Sequence, residues 1–160
     1  MIESTQNVPS FRIQPATAAH ASQIRDLVLG SGLNPTGLDG DHFLVALTPD
    51  GEFIGCGQIK PHADGTNELA SLAVEKEWRG RGVARSIIES LLRSHPSGDL
   101  YLMCQSNLGP LYEKFGFQAL PEAEMLTYFR RVSKLVSVAI ILSRAGERLL
   151  VMRRPPTGNV

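Results

Sequence analysis

Apolar and polar positions along this chain follow two periods, and together they predict its elements. The most regular stretch runs from Glu68 to Leu92. Glu68 to Val74 is a short apolar run with a carboxylate at its entrance, and it predicts a strand. From about Gly82 to His95, Ala84, Ile87, Ile88, Leu91 and Leu92 fall at i, i+3, i+4, i+7 and i+8. That spacing predicts a helix laying one apolar stripe on a sheet. Phe11 to Gln14 predicts a first strand ended by Pro15. Thr17 then caps a helix to about Leu29 that buries Ala21, Ile24, Leu27 and Val28. His42–Thr48 and Glu52–Lys60 read as a hairpin around Pro49-Asp50-Gly51, and His62 to Asn67 as a second turn. Leu100 to Cys104 reads as a further strand. A short helix follows, with Leu108, Leu111, Tyr112 and Phe115 on its inner side. From Glu124 the spacing of Tyr128, Phe129, Val132, Leu135, Val136, Ala139 and Ile140 is helical, although β-branched residues are frequent there. Arg148 to Met152 predicts a last strand.

Composition narrows the classes. A chain of 160 residues suits one domain with a proper core. Sixteen basic and sixteen acidic side chains cancel, which gives no general electrostatic case for nucleic acid or an acidic membrane. Residues 1–10 are polar, without a basic start or an apolar centre, and read as a loose tail rather than a secretory signal. The apolar run from Leu135 to Leu142 is too short to span a bilayer, and suggests at most a dimer contact. Cys56 and Cys104 sit far apart in apolar runs, as buried free thiols in a cytoplasmic protein would. His20, His42, His62 and His95 lie on separate elements at no metal-like spacing, so no metal is expected.

The turn Arg79-Gly80-Arg81-Gly82 changes the picture. Its glycines permit close backbone approach, and the helix it opens presents unpaired N–H groups and a positive dipole end beside two arginines. Such a place favours an anion, phosphate above all. The pattern Arg79-x-x-Gly82-x-Ala84 after Leu72-Ala73-Val74 resembles the acyl-CoA signature of the GNAT N-acetyltransferases. Asn107-Leu-Gly-Pro-Leu-Tyr112-Glu-Lys-Phe-Gly-Phe117 resembles the second motif of that family. The likeness covers about residues 11–120. It implies an α/β (α+β) fold with a mixed, mostly antiparallel central sheet flanked by helices and splayed between the fourth and fifth strands. The domain would span 11–154, with an extended helical segment at about 122–143 and a tail at 155–160. Val136 to Arg154 also resembles the opening hairpin of a Nudix hydrolase, without the Glu-rich helix of that family.

The same resemblance implies acetyl-CoA as cosubstrate and a small-molecule or peptide amine as acceptor, in a monomer or homodimer. Arg79, Gly80, Arg81, Gly82, Val83 and Ala84 would hold the pyrophosphate. The backbone of Leu72, Ala73 and Val74 would pair with the pantetheine arm, with Leu72 N–H facing the thioester oxygen. Asn107 would reach the pantetheine, cap its helix, or do both. Glu68 is the candidate base, either in the cleft on the strand face of Ala70, Leu72 and Val74 or as a surface residue at a strand end. Apolar neighbours would raise its pKa. Tyr112 is the candidate acid for the departing thiolate, or an ordinary core residue. Ser31 to Gly40 would border the acceptor, or simply connect two elements. Asp39, Asp41 and Asp64 are too scattered to line an acidic peptide groove. Two rivals remain from the residues alone: an acyl-CoA-binding sensor without turnover, and an acetyltransferase of protein lysines or N-termini.

Overall fold

The computed structural model describes residues 10–38, 40–95, 97–132 and 148–157. The described strands are β1 (Arg12–Pro15), β2 (Phe43–Leu47), β3 (Phe53–Pro61), β4 (Asn67–Val74), β5 (Leu100–Gln105), β6 (Gln118–Ala119) and β7 (Leu149–Arg154). They form one sheet in the order β1-β2-β3-β4-β5-β7-β6. The helices are α1 (Ala21–Gly30), α2 (Val83–Ser94), α3 (Gly109–Glu113) and α4, over residues 127–132. The mixed, mostly antiparallel sheet flanked by helices is the expected fold class. The chain divides into two compact units, Met1–Ile59 with Ser71–Ser94, and Lys60–Ala70 with His95–Val160.

In the first unit, β1 pairs antiparallel with β2 from Arg12↔Leu47 to Pro15↔Leu44, and β2 with β3 from Phe43↔Gln58. Pro15 belongs to the strand it was expected to end. At a sheet edge its missing N–H costs no ladder bond. The chain enters α1 through a 3-10 turn at Ala18–His20, where Thr17 N donates to His20 Nδ1 at 3.0 Å. Ile24, Leu27 and Val28 of α1 pack with Phe43, Val45, Leu47, Phe53, Cys56 and Ala73. Ala21 is exposed, contrary to expectation, because the helix begins there and its first turn lies off the sheet-facing stripe. On α2, Val83, Ile87, Ile88 and Leu91 are buried, while Ala84 and Leu92 flank them half-buried.

Two glycines of β3 let α2 approach the strand. A Cβ on Gly57 would stand 2.9 Å from Ile87 Cγ2 and 3.3 Å from Leu72 Cδ1. One on Gly55 would stand 3.0 Å from the Ala73 carbonyl oxygen. Neighbouring elements crowd this strand from two directions.

In the second unit, β4 and β5 pair in parallel through Asn67↔Leu100 and Glu68↔Tyr101. β5 pairs antiparallel with β7 from Leu100↔Arg154 to Gln105↔Leu149, and β7 with β6. Leu100, Leu102, Phe117, Phe129, Val151 and Met152 are buried. Asp99 accepts two hydrogen bonds from Arg153 Nη2, at 3.0 and 3.1 Å, and Arg154 Nε donates to Phe115 O at 2.8 Å. The helix expected from Glu124 starts later. A 3-10 turn occupies Glu122–Glu124 and α4 begins at residue 127. Leu108 is 41% exposed, against expectation, because it precedes the α-helix inside a 3-10 turn at Ser106–Leu108 and so is off the helical stripe. The rest of the predicted helical segment, 133–143, lies outside the described residues, as do Leu135 to Leu142 and most of the N-terminal tail.

Gly57→Ala should destabilise the protein by about 1–3 kcal/mol, the usual cost of overpacking. Urea unfolding would register this as a lower midpoint with an unchanged m-value. A wild-type midpoint would mean that Ile87 can move aside.

Candidate active site

Glycines shape the loop before α2. Gly80 and Gly82 have φ of +74° and +83°, values that only glycine takes without strain, and a Cβ on either would meet nothing within 4 Å. The loop is therefore open where a side chain would otherwise project. The first intrahelical bond runs from Ser86 N to Gly82 O at 3.1 Å, which leaves the amides of Val83, Ala84 and Arg85 at the free end of the helix. Arg79 and Arg81 are exposed but held in place. Arg79 Nε donates to Val74 O at 3.2 Å, and the Arg81 guanidinium lies 5.2 Å from the centre of the Trp78 ring. Val83 contributes only its backbone to the loop surface, since its side chain is 1% exposed in the core. The structure thus gathers Val74 and Arg79 through Ala84 in one place.

Upstream on β4, Ser71 takes φ +56°, the left-handed region that a residue with a Cβ resists. The strand's two-residue alternation breaks there. The face shared by Glu68 and Ala70 therefore does not extend by counting to Leu72 and Val74, as the sequence suggested. Gln58 secures the irregular residue. Its Nε2 donates to Ser71 Oγ at 3.1 Å and to Gly37 O at 3.0 Å, joining β4 to the loop after α1. Gln58 is fully buried, and its Oε1 has no hydrogen-bond partner among the described residues. Neither Gln58 nor Ser71 carried a sequence signal. A buried glutamine in an apolar run was the nearest thing to one.

In the second unit, Glu68 is 5% exposed. Burial pushes its carboxyl above the usual carboxylate range, while the hydrogen bond and charge of His62 and the charge of Lys60 pull it back. His62 Nε2 lies 2.7 Å from Glu68 Oε2. Sequence reasoning weighed His62 only as a metal ligand. The available hint was the hairpin, which folds the turn's first residue back beside the head of the next strand. Tyr112, also buried, has its phenol pushed up to about 12, by desolvation first and by the neighbouring Cys104 second. Its ring meets Phe117 edge-on at 6.2 Å. Asn107 is exposed within the 3-10 turn, and α3 is capped at Leu108, so the N-cap reading of Asn107 fails. The sequence offers Asn as a good cap, but the extra 3-10 turn moves the helix start past it. Among the described residues no three His, Cys, Asp or Glu side chains gather as metal ligands, and no helix is long and apolar enough to cross a membrane.

The family model for the acetyltransferase (GNAT) domain matches residues 39–119, about half of the chain. The chain belongs to the GNAT acetyltransferase family. Among solved structures, it resembles the N-acetylglutamate synthase of Neisseria gonorrhoeae in complex with coenzyme A and N-acetyl-glutamate. The TM-score is 0.71 and the identity 18%, over 93% of this chain and 36% of that one. A Mycobacterium tuberculosis protein in complex with CoA matches at a TM-score of 0.68 and 18% identity, over 90% and 98% of the two chains. A GNAT acetyltransferase from Staphylococcus aureus matches at 0.66 and 11%, over 92% and 100%. At such identities these likenesses speak for the fold alone, and the chain spans only about a third of the synthase. No curated protein matches it in sequence.

Both thiols of this GNAT protein are buried and free. Desolvation pushes Cys56 up to about 12 and Cys104 up to about 11. At pH 8 about a ten-thousandth of Cys56 and about a thousandth of Cys104 would be thiolate, so a disulfide reagent should label neither in the native protein. Both should react once the chain is denatured. Rapid stoichiometric labelling of a native thiol would overturn this account of their burial.

Proposed function

We propose that this GNAT protein is an N-acetyltransferase that moves the acetyl group of acetyl-CoA to a primary amine by direct attack in a ternary complex. The observation that carries the reading is the buried Glu68 carboxylate at the head of β4, with its proton affinity raised by burial. An alkylammonium with a pKa near 10.4 must lose a proton before it can attack, and a carboxylate of raised pKa suits that task. Glu68 is the base in this reading. Tyr112 is the acid, its O–H directed at the leaving sulfur. A phenol raised to about 12 keeps its proton at every working pH. The inert thiols support direct transfer, because neither is equipped to carry an acyl group.

Acetyl-CoA supplies the activated acyl group, and the chain's own atoms account for its binding. The open loop Arg79 to Ala84 offers amide N–H groups, a helix N-terminus and two guanidinium groups to the pyrophosphate. The backbone of Leu72, Ala73 and Val74 pairs with the pantetheine, and Leu72 N–H donates to the thioester oxygen as charge develops there. Asn107, exposed and not capping a helix, is left to bind the pantetheine. Support for CoA comes from two neighbours solved with it, one of them also holding an acetylated amino acid. Amino acids therefore head the list of acceptors, and the loop Ser31 to Gly40, tied to β4 through Gly37 and Gln58, borders the acceptor.

The deciding experiment is thiol release from acetyl-CoA against amino acids, polyamines, aminoglycosides, arylalkylamines and lysine peptides. Release that depends on one amine class bears the reading out. Binding of acetyl-CoA with no release would turn the protein into a sensor, or into an enzyme for a specific protein acceptor. With an active amine, Tyr112→Phe should lower kcat by about a hundredfold with little change in acetyl-CoA affinity. Glu68 must be ionised to act, so kcat/KM should fall as pH drops through its raised pKa. Tyr112 must be protonated, and at about 12 it imposes no alkaline decline below about pH 11. An alkaline limb near pH 9 that disappears in Tyr112→Phe would contradict that assignment of the proton.

A further inference from the structure

His62 belongs to neither sequence motif, yet it is the hydrogen-bond partner of the buried carboxylate. It stands at the end of β3, six residues before Glu68, in a turn that its own backbone closes. His62 N donates to Thr66 O at 2.8 Å, Gly65 N donates to His62 O at 3.0 Å, and Thr66 N donates to Asp64 Oδ1 at 2.9 Å. The backbone thus fixes where the imidazole starts, and α4 fixes where it ends. The Tyr128 ring lies against it, with centroids 4.3 Å apart and planes at 43°. Phe129, fully buried, meets it edge-on at 6.0 Å and stacks on Tyr101 at 5.4 Å. The side chains of His62 and Glu68 are 12% and 7% exposed, so water does little to solvate either.

A carboxylate in such surroundings without a donor would take up a proton and cease to be a base. When Glu68 is ionised its oxygen can only accept, and Nε2 of His62 then carries the hydrogen of the 2.7 Å bond. We propose that His62 is a positioning residue for acetyl transfer: its Nε2–H holds Glu68 as the carboxylate and orients it toward the acceptor amine, and Tyr128 seats the imidazole for that task. This rests on the reading of Glu68 as base. In the proton step an N–H bond of the acceptor breaks, nitrogen keeps the electron pair, and an O–H bond forms on Glu68. His62 keeps its own proton throughout. Lys60 on β3 favours the charged carboxylate, and Tyr128 on α4 is itself raised by burial and then by the Glu68 charge. Asp64 in the turn is lowered mainly by hydrogen bonds from Thr66, and further by His62.

The test follows the Glu68 side-chain carboxyl by carbon NMR across pH in the full chain, beside the pH profile of kcat/KM with an amine found active. In His62→Ala the Glu68 midpoint should move up and the acid limb of the profile should move with it. The rate loss should then be largest at low pH and shrink as pH rises. His62→Gln, which keeps a neutral N–H donor, should fall between wild type and His62→Ala. It also carries the test should His62→Ala not fold. An unmoved Glu68 midpoint, or a rate loss equal at every pH, would overturn the role of His62. If Glu68→Gln is inactive while the His62→Ala profile stays in place, only this inference falls. If Glu68→Gln has wild-type rate and profile, the base assignment falls and takes the inference with it.

Discussion

Ser71 is the constraint on which β4 depends. A serine at φ +56° costs about 1–2 kcal/mol relative to an extended residue, and no glycine is there to relieve it. The cost is offset by partners that recognise the irregular residue. Gln58 donates to its hydroxyl, and the Cys56 thiol lies 3.5 Å from its carbonyl oxygen. Gln58 spends its second N–H on Gly37 of the loop after α1, so one buried amide ties a strand irregularity to a surface loop. The break in alternation ends the simple inheritance of faces along the strand. Leu72, Ala73 and Val74 are therefore placed by this irregularity rather than by distance from Glu68.

Packing around β3 follows from a second constraint, the absence of side chains at Gly55 and Gly57. Ile87 of α2, with Val83 and Leu91 beside it, occupies the space those side chains would need, and this seats the helix whose first turn opens at Gly82. Burial of Val83 immediately after Gly82 pins the start of that helix to the core. The glycine loop is thus anchored on one side by apolar packing and on the other by the Arg79–Val74 hydrogen bond, while Gly80 and Gly82 themselves stay open.

The second unit sets polar chemistry inside an apolar shell. Glu68, His62 and Tyr112 are all removed from water, and each is displaced in what it can do. The carboxyl binds its proton more tightly, the imidazole is committed to one partner, and the phenol holds its proton almost without exception. Desolvation is the cause at Glu68 and at Tyr112, and the hydrogen bond between His62 and Glu68 limits it at Glu68.

Much of this was legible in the residues. The periods of α1 and α2, the glycines of the phosphate-favouring loop, the hairpin turns and the motif around Tyr112 are local signals, because a few consecutive residues encode a period or a turn. The sequence also marked Glu68 as a carboxylate in apolar company, and burial bears out the direction of its shift. Other features depend on partners far along the chain. The positive φ of Ser71 needs Gln58, thirteen positions away, and the seating of His62 needs α4, more than sixty residues later. The exposure of Leu108 and the lost cap at Asn107 turn on a 3-10 segment that no periodicity announces. The sequence by itself determined most of the described elements and the family motifs, since local spacing carries both. Tertiary structure alone decided which polar groups meet away from water, since such pairs form only when distant elements close over them.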